Sequence, residues 1–267
     1  MSQSKEINLI IEHEVLPELH EKLKSSALKA GVNVRNWNED WQFEWPAFSN
    51  KFTIFHGSLG TSNLIKNNAS WSPGVYCNIN KFFCSNWYPK VSNYLVHKKW
   101  ITTTVQEFVN QKEKYFEQFG SNEIFVRPDS PLKPFAGRVI NKEKVSLKSL
   151  DHGFYYEELD LPIILAPIRV IGNEWRFVIQ GKSVITGSGY IANNRSGTVE
   201  ITEGPQWDLA NEIANQIEPI DPIYIIDIAE TDNELSLMEF NPFSGADLYS
   251  CNTDKIIASL IKIAHSV

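Results

Sequence analysis

Cysteine is scarce in this chain of 267 residues: Cys77, Cys84 and Cys251 are the only three, and no pair has CxxC spacing. An odd, dispersed set argues against a disulfide framework and fits small, partly buried thiols kept reduced. Residues 1–6 lack the charged-then-apolar layout of a signal peptide, so the expected location is cytoplasmic. Six histidines are scattered without HxxxH or HExxH spacing, which argues against a zinc site. No apolar run is long enough to span a bilayer. Basic charge is also short: the formal net charge is −7, which disfavours broad binding to nucleic acid while leaving room for a local basic groove. Neither GxxxxGK[ST] nor GxGxxG occurs, so a bound phosphate would have to be held by side-chain cations.

What is present is the composition of an ordinary globular protein, 42% hydrophobic and 21% charged. Residues 7–11 read as a strand, 16–30 as a helix stopped by Gly31, 32–34 and 52–55 as strands, and 74–78 as one more. Residues 92–119 carry helical spacing and end at Gly120. Strands are then expected over 123–127, 163–171, 174–179, 183–190, 223–228 and 235–240, with Gln180-Gly181-Lys182 as a hairpin turn. Helices are expected over 207–217 and 254–265. The fold class is therefore α/β (α+β), with an α/β part over 1–120 and a strand-rich part over 121–267. Trp37, Trp41 and Trp45 read as an aromatic patch under a loop, with substrate stacking as the alternative.

The most informative stretch is residues 223–242, where two strand-like runs flank an acidic turn and each contains a carboxylate. Strand interiors seldom hold carboxylates without a partner cation. A turn centred near Asn233 would set Asp227 against Glu239 on one face, with Asn241 two residues further along it. Opposed carboxylates repel unless a cation lies between them; the alternative is two exposed acids on a wet face. Three oxygen donors of this kind suit Mg²⁺, which prefers carboxylates plus substrate phosphates, so a nucleoside triphosphate is expected.

Two upstream segments complete that expectation. Arg127 ends a strand, and a Pro-Asp-Ser loop then carries Lys133, Gly137 and Arg138. These cations either converge on a triphosphate or belong to a solvated turn. Further on, Leu165, Ala166, Pro167 and Ile168 form an apolar strand feeding a turn that can offer backbone groups to adenine. Glu174 is placed to accept from ribose hydroxyls and shares a strand face with Arg176; the alternative is a surface ion pair worth about 0–1 kcal/mol.

The order Arg-Pro-Asp-Ser, Lys-x-Phe-x-Gly, Glu-Trp-Arg-Phe-Val, a strand aspartate, and Glu-Phe-Asn-Pro-Phe-Ser-Gly-Ala-Asp-Leu-Tyr resembles the ATP-grasp superfamily. The likeness is to the clade that carries arginine in place of a phosphate-binding lysine, and it covers roughly residues 50 to 250. It implies an ATP-grasp fold preceded by an α/β pre-grasp domain. It implies Arg127 and Lys133 as phosphate cations, Leu165 to Ile168 as the adenine hinge and Glu174 on ribose. Arg176 would lie over the γ-phosphate, and Asp227, Glu239 and Asn241 would bind Mg²⁺. Ser244, Gly245, Asp247 and Tyr249 would border the acceptor pocket.

The implied activity is an ATP-dependent, ADP-forming ligase. A carboxylate attacks the γ-phosphorus, and an amine or thiol then displaces phosphate. A kinase, a nucleic-acid ligase of the RNA-repair kind and a non-catalytic nucleotide-binding module are the alternatives. Expected partners are small-molecule or peptide carboxylates and amines, with no membrane; a homodimer is left open.

Overall fold

The structure is a computed structural model and describes residues 6–48, 51–150, 159–191 and 194–266. Residues 1–5, most of the segment read above for a targeting signal, lie outside that description. The chain opens with β1 (Ile7–Ile11), α1 (Pro17–Lys29), β2 (Asn33–Asn36), β3 (Phe52–His56), α2 (Leu59–Asn68) and β4 (Ser72–Gly74). Short helices α3 (Ile79–Phe82) and α4 (Cys84–Trp87) lead to β5 (Ile101–Thr104), α5 (Val105–Asn110) and α6 (Lys112–Phe119). Next come β6 (Glu123–Pro128), β7 (Arg138–Asn141), α7 (Leu147–Leu150), β8 (Pro162–Ala166) and β9 (Ile171–Gln180). The chain continues with β10 (Ser183–Ile191), β11 (Asn194–Ile201), α8 (Pro205–Gln216), β12 (Ile223–Thr231), β13 (Glu234–Pro242) and α9 (Thr253–Ser266).

The chain forms two compact units whose segments interleave. The first comprises Met1–Asn78, Gly172–Glu230 and Leu237–Val267, and the second comprises Ile79–Ile171 and Thr231–Ser236.

In the first unit a parallel sheet has the order β2-β1-β3-β4. All five residues of β1 and of β3 are buried, as central parallel strands require. A five-stranded sheet runs β11-β10-β9-β12-β13. Gly181, at φ 59, makes the β9–β10 turn expected at Gln180-Gly181-Lys182. The buried core joins Leu9, Ile11, Leu23, Ile54, Ile225, Phe243, Leu248 and Leu260. Ser26 Oγ and Thr253 Oγ1, 2.8 Å apart, tie α1 to the start of α9.

In the second unit the sheet order is β5-β8-β6-β7, with antiparallel neighbours throughout. Its core gathers Phe108, Phe116, Ile124, Val126, Ile163 and Leu165. Thr104 caps α5 by accepting from Glu107 N at 3.2 Å. Gly120, at φ 64, ends α6 in the left-handed conformation that favours glycine.

Three expected elements need correction. Residues 92–119 are not one helix: β5 interrupts them, because Ile101-Thr102-Thr103-Thr104 is a β-branched run that pairs with β8. Residues 163–171 are not one strand: β8 stops at Ala166, before Pro167, which cannot donate to a ladder, and β9 begins at Ile171. The strand expected over 74–78 lies instead at Ser72–Gly74, paired with β3. The Trp37, Trp41 and Trp45 rings pack around buried Trp71, whose Nε1 donates to the Pro46 carbonyl at 2.8 Å, so the patch is a packing cluster.

Candidate functional site

In the first unit three adjacent strands bring four expected site residues together. Arg176 is on β9, Asp227 on β12, and Glu239 and Asn241 on β13. Arg176 Nε donates to Asp227 Oδ1 at 2.8 Å, and its Nη2 donates to Oδ2 at 2.6 Å. The remaining guanidinium nitrogen, Nη1, donates to the Asp247 carbonyl at 2.6 Å. This is the planar two-point geometry that only arginine supplies. Both side chains are buried, at 9% and 2% exposure. Burial opposes the charged guanidinium, yet the Asp227 charge and hydrogen bonds hold Arg176 well above its ordinary value.

The Asn241 amide nitrogen donates both to Asp227 Oδ2 at 2.8 Å and to Glu239 Oε1 at 3.0 Å. Asp232 and Asn233, at φ 52 and 65, make the tight turn that folds β13 back along β12. Two acids therefore share one N–H₂ group, which relieves the repulsion a cation would otherwise relieve. Among the described residues no group of three or more His, Cys, Asp or Glu side chains is placed to hold a metal. The oxygen set nevertheless fits Mg²⁺, provided Asn241 presents its carbonyl oxygen and phosphate oxygens complete the shell.

Around this cluster, Tyr190 Oη donates to Glu174 Oε2 at 2.7 Å. Burial, then the charges of Asp227 and Glu174, push the Tyr190 phenol well above its ordinary range. The Tyr190 and Tyr249 rings lie 5.0 Å apart, and Arg176 Cζ sits 4.9 Å from the centre of the Tyr249 ring. Tyr249 has a left-handed φ of 49, and its N–H donates to Asp247 Oδ1 at 2.9 Å. Backbone strain of this kind gathers where geometry matters more than ease of folding.

Ser244 and Gly245 occupy a different setting. Ser244 is fully buried: its Oγ accepts from Tyr76 N at 2.9 Å and its carbonyl accepts from Gly57 N at 2.9 Å. A Cβ on Gly245 would lie 2.3 Å from Leu59 Cδ2, so glycine is what lets this turn pack on α2.

In the second unit Arg127 is near the end of β6 and mostly buried. The next acid is locked: Asp129 Oδ1 accepts from Ser85 N at 2.7 Å and Oδ2 from Ser85 Oγ at 2.6 Å. Lys133 has a left-handed φ of 50 in the loop that follows. Gly137 lets that loop return closely, because a Cβ there would lie 2.8 Å from Phe125 Cζ. Arg138 is directed at its own surroundings, donating to the Ala136 carbonyl at 3.2 Å and the Ser149 carbonyl at 3.3 Å. Leu165 and Ala166 end β8, fully buried, and Pro167 and the partly exposed Ile168 follow. Arg169 Nη1 pairs with Asp232 Oδ2 at 2.7 Å.

His97 joins this group. Its ring stacks on Phe125 at 4.9 Å and 18°, and it is 8% exposed. Burial, then the nearby Arg127 and Arg169 charges, lower it to about 4, against a hydrogen bond with the Pro167 backbone.

The sequence profile of the ATP-grasp domain, family 2 of the R-to-K clade, matches residues 95–259. The chain belongs to this ATP-grasp family. The ATP-grasp match covers Arg127, Lys133, Glu174, Arg176, Asp227, Glu239 and Asn241. The fold is that of ATP-grasp ligases. The structure of the D-cycloserine synthetase DcsG superposes with a TM-score of 0.70 at 8% identity, covering 97% of this chain and 99% of that one. D-alanine–D-alanine ligase from Bacillus anthracis, complexed with ATP, gives 0.66 at 16% identity over 98% of each chain. A RiPP-associated ATP-grasp ligase from Chryseobacterium gregarium, in complex with ADP and a leader and core peptide, gives 0.62 at 11%, covering 98% and 97%. No curated protein matches the chain by sequence.

Within this ATP-grasp chain, reasoning from sequence missed His97, Tyr190 and the locking role of Asp129. Asp129 carried a signal, since an acid directly after a strand-ending Arg-Pro invites a turn anchor. Tyr190 and His97 carried none, because each acts on a residue distant in sequence.

Proposed function

We propose that the protein is an ATP-dependent ligase that joins a carboxylate to an amine, or less often a thiol, through an acyl phosphate. The carrying observation is the four-residue network of Arg176, Asp227, Asn241 and Glu239. It holds a fixed cation beside an oxygen set suited to Mg²⁺, which is what phosphoryl transfer requires.

The roles follow from that network. The substrate carboxylate attacks the γ-phosphorus, ADP leaves, and the amine then displaces phosphate from the acyl carbon. Arg176 and Lys133 are the catalytic cations, neutralising charge on the transferring phosphoryl group. Arg127 binds phosphate, Leu165, Ala166, Pro167 and Ile168 line the adenine, and Glu174, oriented by Tyr190, accepts from ribose. Asp227, Glu239 and Asn241 hold Mg²⁺, which acts as Lewis acid and template. Asp247 and Tyr249 border the acceptor on the rigid floor made by Ser244 and Gly245. Domain limits of 1–120 for a pre-grasp domain and 121–267 for the ATP-grasp domain belong to this reading. A cytoplasmic location goes with the three buried, free cysteines. Among the described residues no helix is long and apolar enough to cross a membrane. Substrates are small-molecule or peptide carboxylates and amines, a class that includes the peptide partners of the structural neighbours.

The test is ADP release across a panel of amino acids and peptides, with hydroxylamine added. Hydroxamate formation marks an acyl phosphate and supports a ligase. ADP release with a stable phosphorylated product and no hydroxamate points to a kinase and overturns the ligase reading. Protein-lysine adenylylation with pyrophosphate release points instead to nucleic-acid ligation. ATP binding without turnover on any acceptor leaves a binding module.

A further inference from the structure

His97 combines three features that the activity proposed above does not use. It is more than nine-tenths buried, its ring is clamped flat on Phe125, and its Nδ1 has no hydrogen-bond partner among the described residues. The ring bonds to the Pro167 backbone, which leaves Nε2 as the nitrogen that serves the Pro167 carbonyl. The proton is then on Nε2, and Nδ1 is a lone-pair acceptor. The nearby arginines keep the imidazole neutral, so this assignment holds at physiological pH.

The hinge explains why such an acceptor is needed. Pro167 has no N–H, and its carbonyl is engaged by His97, so the middle of the hinge has little left with which to read a purine edge. A buried acceptor without a donor is costly, and a ligand amine that reaches it recovers that cost. Adenine carries an exocyclic amine at its sixth position. Guanine and hypoxanthine carry a carbonyl oxygen there, which would face the Nδ1 lone pair.

We propose that His97 is a specificity-determining residue that selects adenine over 6-oxopurine nucleotides, by accepting a hydrogen bond from the base amine at Nδ1. The proposal rests on the assignment of Leu165 to Ile168 as the nucleotide hinge. Sites that require an amine donor reject the analogue lacking it strongly, because the buried acceptor is then left unpaired.

The test is calorimetric binding of ATP and ITP to the full chain as wild type, His97→Leu and His97→Gln. The wild type is expected to favour ATP by roughly tenfold or more. His97→Leu should lose most of that preference. In His97→Gln the amide can present either its oxygen or its nitrogen, so it should bind both nucleotides within about threefold of each other. Arg127→Ala should weaken ATP and ITP alike, leaving their ratio intact. An unchanged ratio in both His97 variants, or an equal loss of both nucleotides, overturns the proposal. A wild type that binds neither nucleotide overturns the underlying ATP-site reading as well. Should the variants fail to fold, ¹⁵N-histidine spectra of the wild type decide. A His97 ring-nitrogen shift with ATP but not ITP supports the role, and equal responses to both refute it.

Discussion

Arg176 and Asp227 form a buried two-point ion pair, with nitrogen–oxygen distances of 2.8 and 2.6 Å across adjacent strands. Two buried charges gain from each other only when the geometry is good and their remaining hydrogen bonds are met. Both conditions hold, since Asp247 accepts from the third guanidinium nitrogen and Asn241 donates to the carboxylate.

Breaking the pair from one side should therefore be severe. Arg176→Ala leaves Asp227 charged and buried, and is expected to cost about 3–5 kcal/mol in urea unfolding. An Arg176→Met, Asp227→Leu double variant should recover most of that loss yet remain inactive. If the single variant unfolds at the wild-type midpoint, the pair contributes nothing to the fold. Arg176→Lys keeps the charge but loses the fork, so it should fold better than Arg176→Ala while still using ATP poorly.

Glu239 is only half-buried and is bridged to Asp227 through Asn241. Glu239→Gln should leave stability within about 1 kcal/mol of wild type, as expected for a residue outside the core. Its turnover should fall on the order of a hundredfold or more, as when a charge-stabilising group is removed. Magnesium-dependent ADP binding, followed by calorimetry, should weaken in parallel. Retained turnover in this variant would contradict the metal role.

Lys133 pairs a functional expectation with a strained backbone at φ 50. Lys133→Ala and Lys133→Gly both remove the charge, so ATP use should drop equally in the two. Their stabilities should differ: only glycine adopts this conformation freely, so Lys133→Gly should be the more stable by about 1 kcal/mol. Equal stabilities, or unimpaired nucleotide use in both, would separate this loop from phosphate binding.

His56 is fully buried beside His20, with His20 Nε2 3.0 Å from His56 Nδ1. Burial, then the His20 charge, lower His56 from 6.5 to about 3. The unfolded chain therefore binds this proton more tightly than the folded one between those values. Stability is complete above the unfolded value and is lost as pH falls through the window, by about 1.4 kcal/mol per unit from this group. Denaturation midpoints at pH 7 and pH 4.5 should show the loss, and His56→Gln should flatten it. His97, lowered to about 4, contributes to the same window and is unchanged in that comparison.

The late hairpin was legible in the sequence because its signals are local. Apolar runs flank Asp232 and Asn233, two residues that tolerate positive φ, and an i, i+2 relation puts Glu239 and Asn241 on one face. The β1–α1–β2 start and the Gly181 turn were readable for the same reason. β5 was hidden inside a helical pattern, and only its pairing with β8 reveals it. β11 has few apolar residues and was not visible as a strand until it paired with β10. α2 was obscured by its polar residues, although Ser58 caps it by accepting from Thr61 N at 3.1 Å.

Sequence alone determined which chemical groups this protein carries, and the order in which an ATP-grasp chain presents them. Spacing of two along a strand and the chemistry of tight turns are local, so they can be read before folding. The partners of those groups were decided by tertiary structure alone. Arg176 meets Asp227 across 51 residues of chain, and His97 meets Phe125 and the Pro167 backbone. Such contacts depend on strand order and register, which many sequences satisfy and no local pattern encodes.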